Sequence, residues 1–274
     1  VSCKTRTPPL SMTSKQEDSA SSACCPSSAW GKLSNDDDSS TSYDGIDAKI
    51  GTIQLPIYYA KSPTVSKKAI VIWPDVYGMS NRLRLIADSF AFKGYHAMVM
   101  DSFHGDSMAN KPDDMTKIEW LSQYSYESSV SNDINAGFDF LHDKGVEKGE
   151  ISVIGFCWGG WAIAKSASEG IKWKCAVSPH PSVKIENVIF GRDEKVMMDK
   201  VSIPYLLLPA GDDPENVKAG SEIVGKLEER GGGSVLFESM SHGWVSRGDL
   251  SILDVKENAE KALTLAVEFI DKHY

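Results

Sequence analysis

The chain has 274 residues and a formal net charge of −9. That acidic balance disfavours a nucleic-acid-binding face or a polybasic membrane patch, and the longest clean apolar runs, 69–73 and 205–208, are far too short to cross a bilayer. At 41% hydrophobic and 24% charged the composition is that of a globular protein, long enough to bury its core without disulfides or metal.

Residues 1–44 differ from the rest. They are rich in Ser, Thr, Pro and Asp, with the run Asp36-Asp37-Asp38-Ser39-Ser40, and cannot bury enough apolar area to order themselves. We read them as a disordered leader before a domain over 45–274. The chain starts at Val1, with Met12 as an alternative initiator. Glu17 and Asp18 argue against a long transit peptide. Without an apolar signal core, the expected location is the cytoplasm, an organellar remnant being the alternative. The five cysteines, Cys3, Cys24, Cys25, Cys157 and Cys175, form no regular framework and no Cys-x-x-Cys. The histidines form no His-Glu-x-x-His, so no metal site is expected. The adjacent Cys24-Cys25 reads as a surface feature.

The alternation over 49–59 predicts an antiparallel edge hairpin. Ala69–Trp73 is the continuous apolar run of a strand buried on both faces. Leu83, Leu85, Ile86, Phe90 and Ala91 give 81–93 a helical stripe, ended by Gly94. His96–Met100 is the next strand. Helices are expected near 115–123 and over 127–144. Then come a strand at Ile151–Ile154, a helix over 161–168, and strands at 174–177 and 205–208. A helix over 215–229 runs to the loop Gly231-Gly232-Gly233, followed by a strand at 235–237 and a final amphipathic helix over 256–272. Strands alternating with helices predict one mostly parallel sheet with helices on both faces, and functional groups at the carboxyl ends of its strands.

One segment carries chemistry. Gly155-Phe156-Cys157-Trp158-Gly159-Gly160 joins the buried strand to a helix. Small-x-Cys-x-small at such a junction is the form of a nucleophile elbow, with Cys in place of the usual Ser. Small neighbours permit the tight turn, and the helix N-terminus favours a thiolate. The bland alternative is a tight turn with Cys as a small buried filler.

A thiolate nucleophile needs a base, and the base an orienting acid. Elbow enzymes order these as nucleophile, acid, histidine. His242, in Ser241-His242-Gly243-Trp244, follows the 235–237 strand and is the expected base; His273 sits on a terminal surface helix. The acid should follow strand 205–208, where Gly211-Asp212-Asp213-Pro214 offers two aspartates. The Gly-x-Asp spacing favours Asp213, and Asp212 stays open as a turn former. His180 competes as base but follows the strand next to the elbow, which suits a pocket wall. His104 or Phe103 could line the same pocket.

The elbow, Gly211–Pro214, Ser241–Trp244 and Ile72-Trp73-Pro74-Asp75-Val76-Tyr77-Gly78 together resemble the dienelactone hydrolase family, from about Ile46 to the end. The eukaryotic branch is most similar, with Cys24-Cys25 and His180-Pro181-Ser182 among the shared features. The resemblance implies an α/β-hydrolase fold and the opening of lactone or carboxylic ester bonds through a cysteine acyl-enzyme, with no cofactor. It gives Cys157 as nucleophile, His242 as proton carrier and Asp213 as its orienter. It places the oxyanion on the N–H groups of Trp158 and Val76. Bacterial members carry a glutamate, in contact with the resting thiol, where this chain has the shorter Asp75. Asp75 therefore either reaches the thiol or only caps the oxyanion loop. Arg247 lies near the family's arginine for a substrate carboxylate, one residue further along. Trp158 and Trp244 could form an aromatic acyl pocket or simply pack. The expectation is a monomeric hydrolase of small esters or lactones. The alternative is a small-molecule-binding or redox-sensing relative in which Cys157 is oxidised.

Overall fold

The computed structural model describes residues 44–274. The leader expected over 1–44, with Met12 and Cys24-Cys25, lies outside the described residues except for Asp44.

Among those residues eight strands form one sheet in the order β1-β2-β4-β3-β5-β6-β7-β8. β1 (Ile46–Ile50) and β2 (Leu55–Ala60) are the expected antiparallel hairpin, and β2 pairs antiparallel with β4 (His96–Met100). β3 (Ala69–Trp73), β5 (Ile151–Gly155), β6 (Ala176–Pro179), β7 (Tyr205–Leu208) and β8 (Gly233–Ser234) continue the sheet in parallel with β4. The helices in chain order are α1 (Asn81–Phe92), α2 (Lys117–Ser122), α3 (Ser131–Asp143), α4 (Trp158–Ser168), α5 (Ile185–Val188), α6 (Glu194–Lys200), α7 (Glu222–Glu228), α8 (Trp244–Arg247) and α9 (Leu253–Lys272).

Successive residues of β3 serve two cores. Ala69, Val71 and Trp73 join Ile134 and Leu141 of α3, Trp161 of α4 and Val224 of α7. Ile70 and Ile72 join Leu83 and Ile86 of α1 and Ala262 and Ala266 of α9. A strand covered on both faces needs apolar side chains at every position, which is why 69–73 reads as an unbroken run. Helices therefore cover both faces of a mostly parallel sheet, as the alternation predicts. Short polar residues start several of them. Ser80 accepts from the Leu83 N–H, and Thr116 with Glu119 forms a capping box on α2.

Several elements differ from the sequence expectation, each for a local reason. The 127–144 helix opens with a π turn over Tyr126–Val130 before α3 begins. The 215–229 helix is broken. A 3₁₀ turn spans Glu215–Val217, Gly220 takes φ +86°, and Ser221 then caps α7. The run 235–237 does follow β7, through Val235 N–H to Leu207 O and Phe237 N–H to Pro209 O, but the regular ladder is 233–234. The glycine triplet thus supplies part of the strand. A Cβ on Gly232 would lie 2.2 Å from Tyr205 O, so only glycine lets the backbones come this close. Helix α4 starts at Trp158, three residues earlier than expected, so Gly159 and Gly160 belong to its first turn.

Candidate active site

The elbow glycines answer to specific neighbours. A Cβ on Gly155 would lie 2.3 Å from Gly159 O, and one on Gly159 would lie 2.8 Å from Trp73 Cβ. A Cβ on Gly160 would press on Pro181 at 3.2 Å. The turn is therefore tight against β3 on one side and the loop after β6 on the other. Cys157 is held at φ +53°, ψ −108°, a conformation costly for a residue with a Cβ. The strain points its sulfur away from both strand and helix ladders, at the N-terminus of α4.

Loops beyond β6 and β8 reach the sulfur, and the loop after β7 supports the second of them. The Ser182 N–H bonds Cys157 O at 3.0 Å, and Ser182 Oγ lies 3.4 Å from Cys157 Sγ and 3.5 Å from His242 Nε2. His242 Nδ1 lies 2.6 Å from Asp213 Oδ1, and the second oxygen of Asp213 accepts from the Ala210 N–H at 2.8 Å. A carboxylate only accepts, so Nδ1 carries the proton and Nε2 is the working nitrogen. Asp212 does something else. It is exposed, and its Oδ1 accepts from the backbone N–H of His242 at 2.7 Å. The pair of aspartates thus divides, one on the ring and one on the backbone of the same histidine. Gly211 joins the two loops, its N–H bonding Met240 O at 2.9 Å.

His242 is 2% exposed. Burial opposes a charge on its ring, but the Cys157 sulfur and then the Asp213 carboxylate, each also hydrogen-bonded to it, outweigh burial and raise it to about 10. His180 shows the contrast. Its ring stands 5.0 Å from that of His242, fully buried, and neither nitrogen has a hydrogen-bond partner among the described residues. Burial, then the charges of His242 and Arg247, hold it well below its ordinary value. The two neighbouring histidines are thus pushed in opposite directions.

The loop after β3 turns back at once. Asp75 Oδ1 accepts from the Tyr77 N–H at 2.9 Å, Gly78 N–H bonds Asp75 O at 3.0 Å, and Gly78 sits at φ +78°. Asp75 Oδ2 accepts from Ser246 Oγ at 2.6 Å and from Arg247 Nε at 2.7 Å. The Arg247 guanidinium also lies over the Tyr77 ring, 4.4 Å from its centre. Asp75, Tyr77, Gly78 and Arg247 wall a cavity of about 270 Å³ together with Met79, Asn81 and Leu83. Among the described residues, no acceptor takes the N–H of Val76 or of Trp158.

The profile of the Dienelactone hydrolase family matches residues 55–274. The chain belongs to the dienelactone hydrolase family. Its relatives include the human carboxymethylenebutenolidase homolog, 26% identical over 239 residues, covering 84% of this chain and 93% of that protein. Hydrolase tropI of Talaromyces stipitatus is 25% identical over 234 residues, covering 80% and 87%. A dienelactone hydrolase structure from Klebsiella pneumoniae, described as putative, is 15% identical, with a TM-score of 0.61 over 84% of this chain and 99% of that one. The fold is that of the α/β-hydrolases, and the family makes this chain a hydrolase of the ester and lactone class.

Within the family frame, the structure brings Cys157, His242 and Asp213 together, with Trp158 next to Cys157 in the chain and Val76 in the loop after β3. It sets Asp75 against Ser246 and Arg247. Arg247 is buried with its Nε on that carboxylate rather than projecting into solvent. Trp244 packs on Phe237 and His180, at 5.1 and 5.3 Å, behind the histidine. Trp158 lies 4.6 Å from Phe103, which also stacks on Trp120, so the aromatic ground beneath the elbow comes from the β4 side. His104 bonds Asp133 Oδ1 at 3.0 Å. Sequence reasoning passed over Ser182 and Ser246. The first had a signal, a polar residue in a loop leaving a strand's carboxyl end, overshadowed by His180 two places earlier. The second carries none.

Proposed function

We propose that the protein hydrolyses small carboxylic esters or lactones through an acyl-cysteine intermediate. The observation that carries this is the chain of contacts on Cys157: a strained thiol at a helix N-terminus, hydrogen-bonded to a buried imidazole whose far nitrogen is fixed by Asp213.

In the resting site the proton sits on His242 and the charge on sulfur, because the imidazole is raised by that sulfur and by Asp213. The thiolate adds to the substrate carbonyl carbon. The carbonyl oxygen becomes an oxyanion between the N–H groups of Val76 and Trp158, donors that no other group occupies. Two such donors in a dry site are worth several kcal/mol of barrier, since loss of a single one costs about 3–4 kcal/mol. Collapse breaks the C–O bond, and the alkoxide leaves with the proton from His242 Nε2. In a lactone that alcohol stays tethered to the acyl group. Water then gives a proton to Nε2 and its oxygen to the thioester carbon. The acid departs, and thiolate and imidazolium are restored. Asp213 keeps one tautomer throughout.

The test is p-nitrophenyl acetate hydrolysis, with intact-protein mass spectrometry for the acyl adduct. Cys157→Ala and His242→Ala should each abolish turnover, and His242→Ala should leave Cys157 without an adduct. Turnover surviving both changes would refute the mechanism. The redox alternative predicts no turnover in the parent protein and a sulfenic acid on Cys157 after peroxide.

A further inference from the structure

The contacts of Cys157 with His242 leave one neighbour without an assigned role. Ser182 is fully buried, yet its hydroxyl is placed between the two groups that exchange the proton, 3.4 Å from Cys157 Sγ and 3.5 Å from His242 Nε2. Its position is fixed by the elbow itself. The Ser182 N–H is bonded to the carbonyl of Cys157 at 3.0 Å, the Cys157 N–H faces Pro179 O at 3.5 Å, and Pro181 fills the space left by Gly160. Any shift of the elbow carries Ser182 with it, so the hydroxyl keeps its distance to the sulfur.

We propose that Ser182 is a catalytic residue of this site, a hydroxyl that bridges Cys157 Sγ and His242 Nε2 and holds the thiolate–imidazolium pair ready for attack. This rests on the acyl-cysteine reading above.

The argument is one of donors and acceptors. A hydroxyl has one hydrogen and two lone pairs. Between a thiolate and an imidazolium it donates to sulfur and offers a lone pair to the Nε2–H that also bonds that sulfur. Between a thiol and a neutral imidazole it reverses, accepting from S–H and donating to Nε2. Both states are therefore satisfied, and passing from one to the other moves one proton from Nε2 to sulfur, either directly with a turn of the O–H bond or with the hydroxyl giving its own proton to sulfur and taking that of Nε2. The two states are not equal, because hydrogen bonds to charged partners are about twice as strong as neutral ones. The hydroxyl therefore favours the ion pair. Acylation then removes the charge from sulfur. A thioester sulfur is a poor acceptor, so the hydroxyl turns to Nε2 while His242 awaits its water. In this chain Asp75 is committed to Tyr77, Ser246 and Arg247, and the polar group within reach of the sulfur comes from the opposite loop.

The titratable groups around the pair are His242 with Asp213 behind it, His180 beside it and, at longer range, Arg247. Ser182 itself does not titrate, so changing it leaves the count of charges intact.

The experiment follows alkylation of Cys157 by iodoacetamide, read at its own tryptic peptide across pH. Ester hydrolysis is measured in parallel on the same full chain. Ser182→Ala should move the alkylation midpoint upward by about one pH unit and lower kcat about tenfold or more at neutral pH, with recovery as pH rises. Ser182→Thr retains a hydroxyl and should keep the parent midpoint. If Ser182→Ala does not fold by near-UV circular dichroism, Ser182→Gly removes the same hydroxyl and must show the same shift. A midpoint unchanged in the folded variant overturns the role of Ser182. It leaves the acyl-cysteine reading standing if Cys157→Ala is inactive. Hydrolysis that survives Cys157→Ala overturns that reading, and the catalytic use of Ser182 with it.

Discussion

Asp75→Ala isolates what the Asp75–Arg247 pair does. Both side chains are about nine-tenths or more buried, and one carboxylate serves Arg247 Nε, Ser246 Oγ and the Tyr77 N–H. Removing the carboxylate strips a buried guanidinium of its counter-ion. Breaking a buried pair from one side costs about 3–5 kcal/mol, mostly the burden of the orphaned charge. For a domain of this size each kcal/mol moves Tm by about 2–4 °C, so the melting point should fall by about 6–20 °C. Asp75→Ala/Arg247→Leu removes both charges and should be more stable than Asp75→Ala alone by about 1–3 kcal/mol. Calorimetry measures both. The same pair joins the loop after β3, the proposed source of one oxyanion donor, to the helix that follows His242, so the single variant should also lose turnover, by up to the about 10²–10³ that a misplaced oxyanion donor costs. If Arg247 is a brace, Arg247→Leu lowers hydrolysis of carboxylated and uncarboxylated esters by one common factor. A loss confined to carboxylated substrates, with Tm moved by less than about 2 °C, would refute the brace and restore the substrate clamp.

Other outcomes follow from single contacts. Asp213→Asn presents an amide to Nδ1 and should cut kcat/KM about 10⁴-fold. His242 is raised, so the ion pair persists as pH rises until the ring loses its proton near 10; without the Asp213 charge that alkaline limb should move to lower pH in a rate profile. Asp212→Ala removes one bond to the His242 backbone from an exposed residue and should cost no more than about tenfold; equal losses at the two positions would overturn their division of labour. Gly159→Ala puts a Cβ 2.8 Å from Trp73 Cβ and should destabilise by about 1–3 kcal/mol in urea unfolding, with Gly160→Ala, at 3.1–3.2 Å from its neighbours, the milder change.

What the sequence disclosed divides along one line. The elbow is legible because its demands are local. A strained Cys157 between a strand and a helix forces small residues at 155, 159 and 160, and sterics write those glycines within three positions of it. The β3 strand is legible because burial on two faces leaves no polar position. His242 follows from chain order, since each loop must leave the same end of a parallel sheet. The aspartates mark where this stops. Gly211-Asp212-Asp213 locates the loop, but which carboxylate meets Nδ1 depends on Gly211 docking against Met240, a contact made across the sheet edge. Asp75 and Arg247 are further still, 172 positions apart, and nothing in either segment states that they pair. Ser182 is the same case at close range. It reads as a turn residue in Ser178–Ser182, and becomes a partner of the sulfur only because Gly160 lets Pro181 approach the elbow. The broken 215–229 helix fails for the opposite reason. Apolar periodicity carries no penalty for one left-handed glycine, so the pattern runs straight through Gly220, where the backbone cannot. Chemistry set by neighbours in the chain is therefore readable here, whereas contacts between distant segments, Asp75 with Arg247 and Ser182 with Cys157, belong to the folded chain alone.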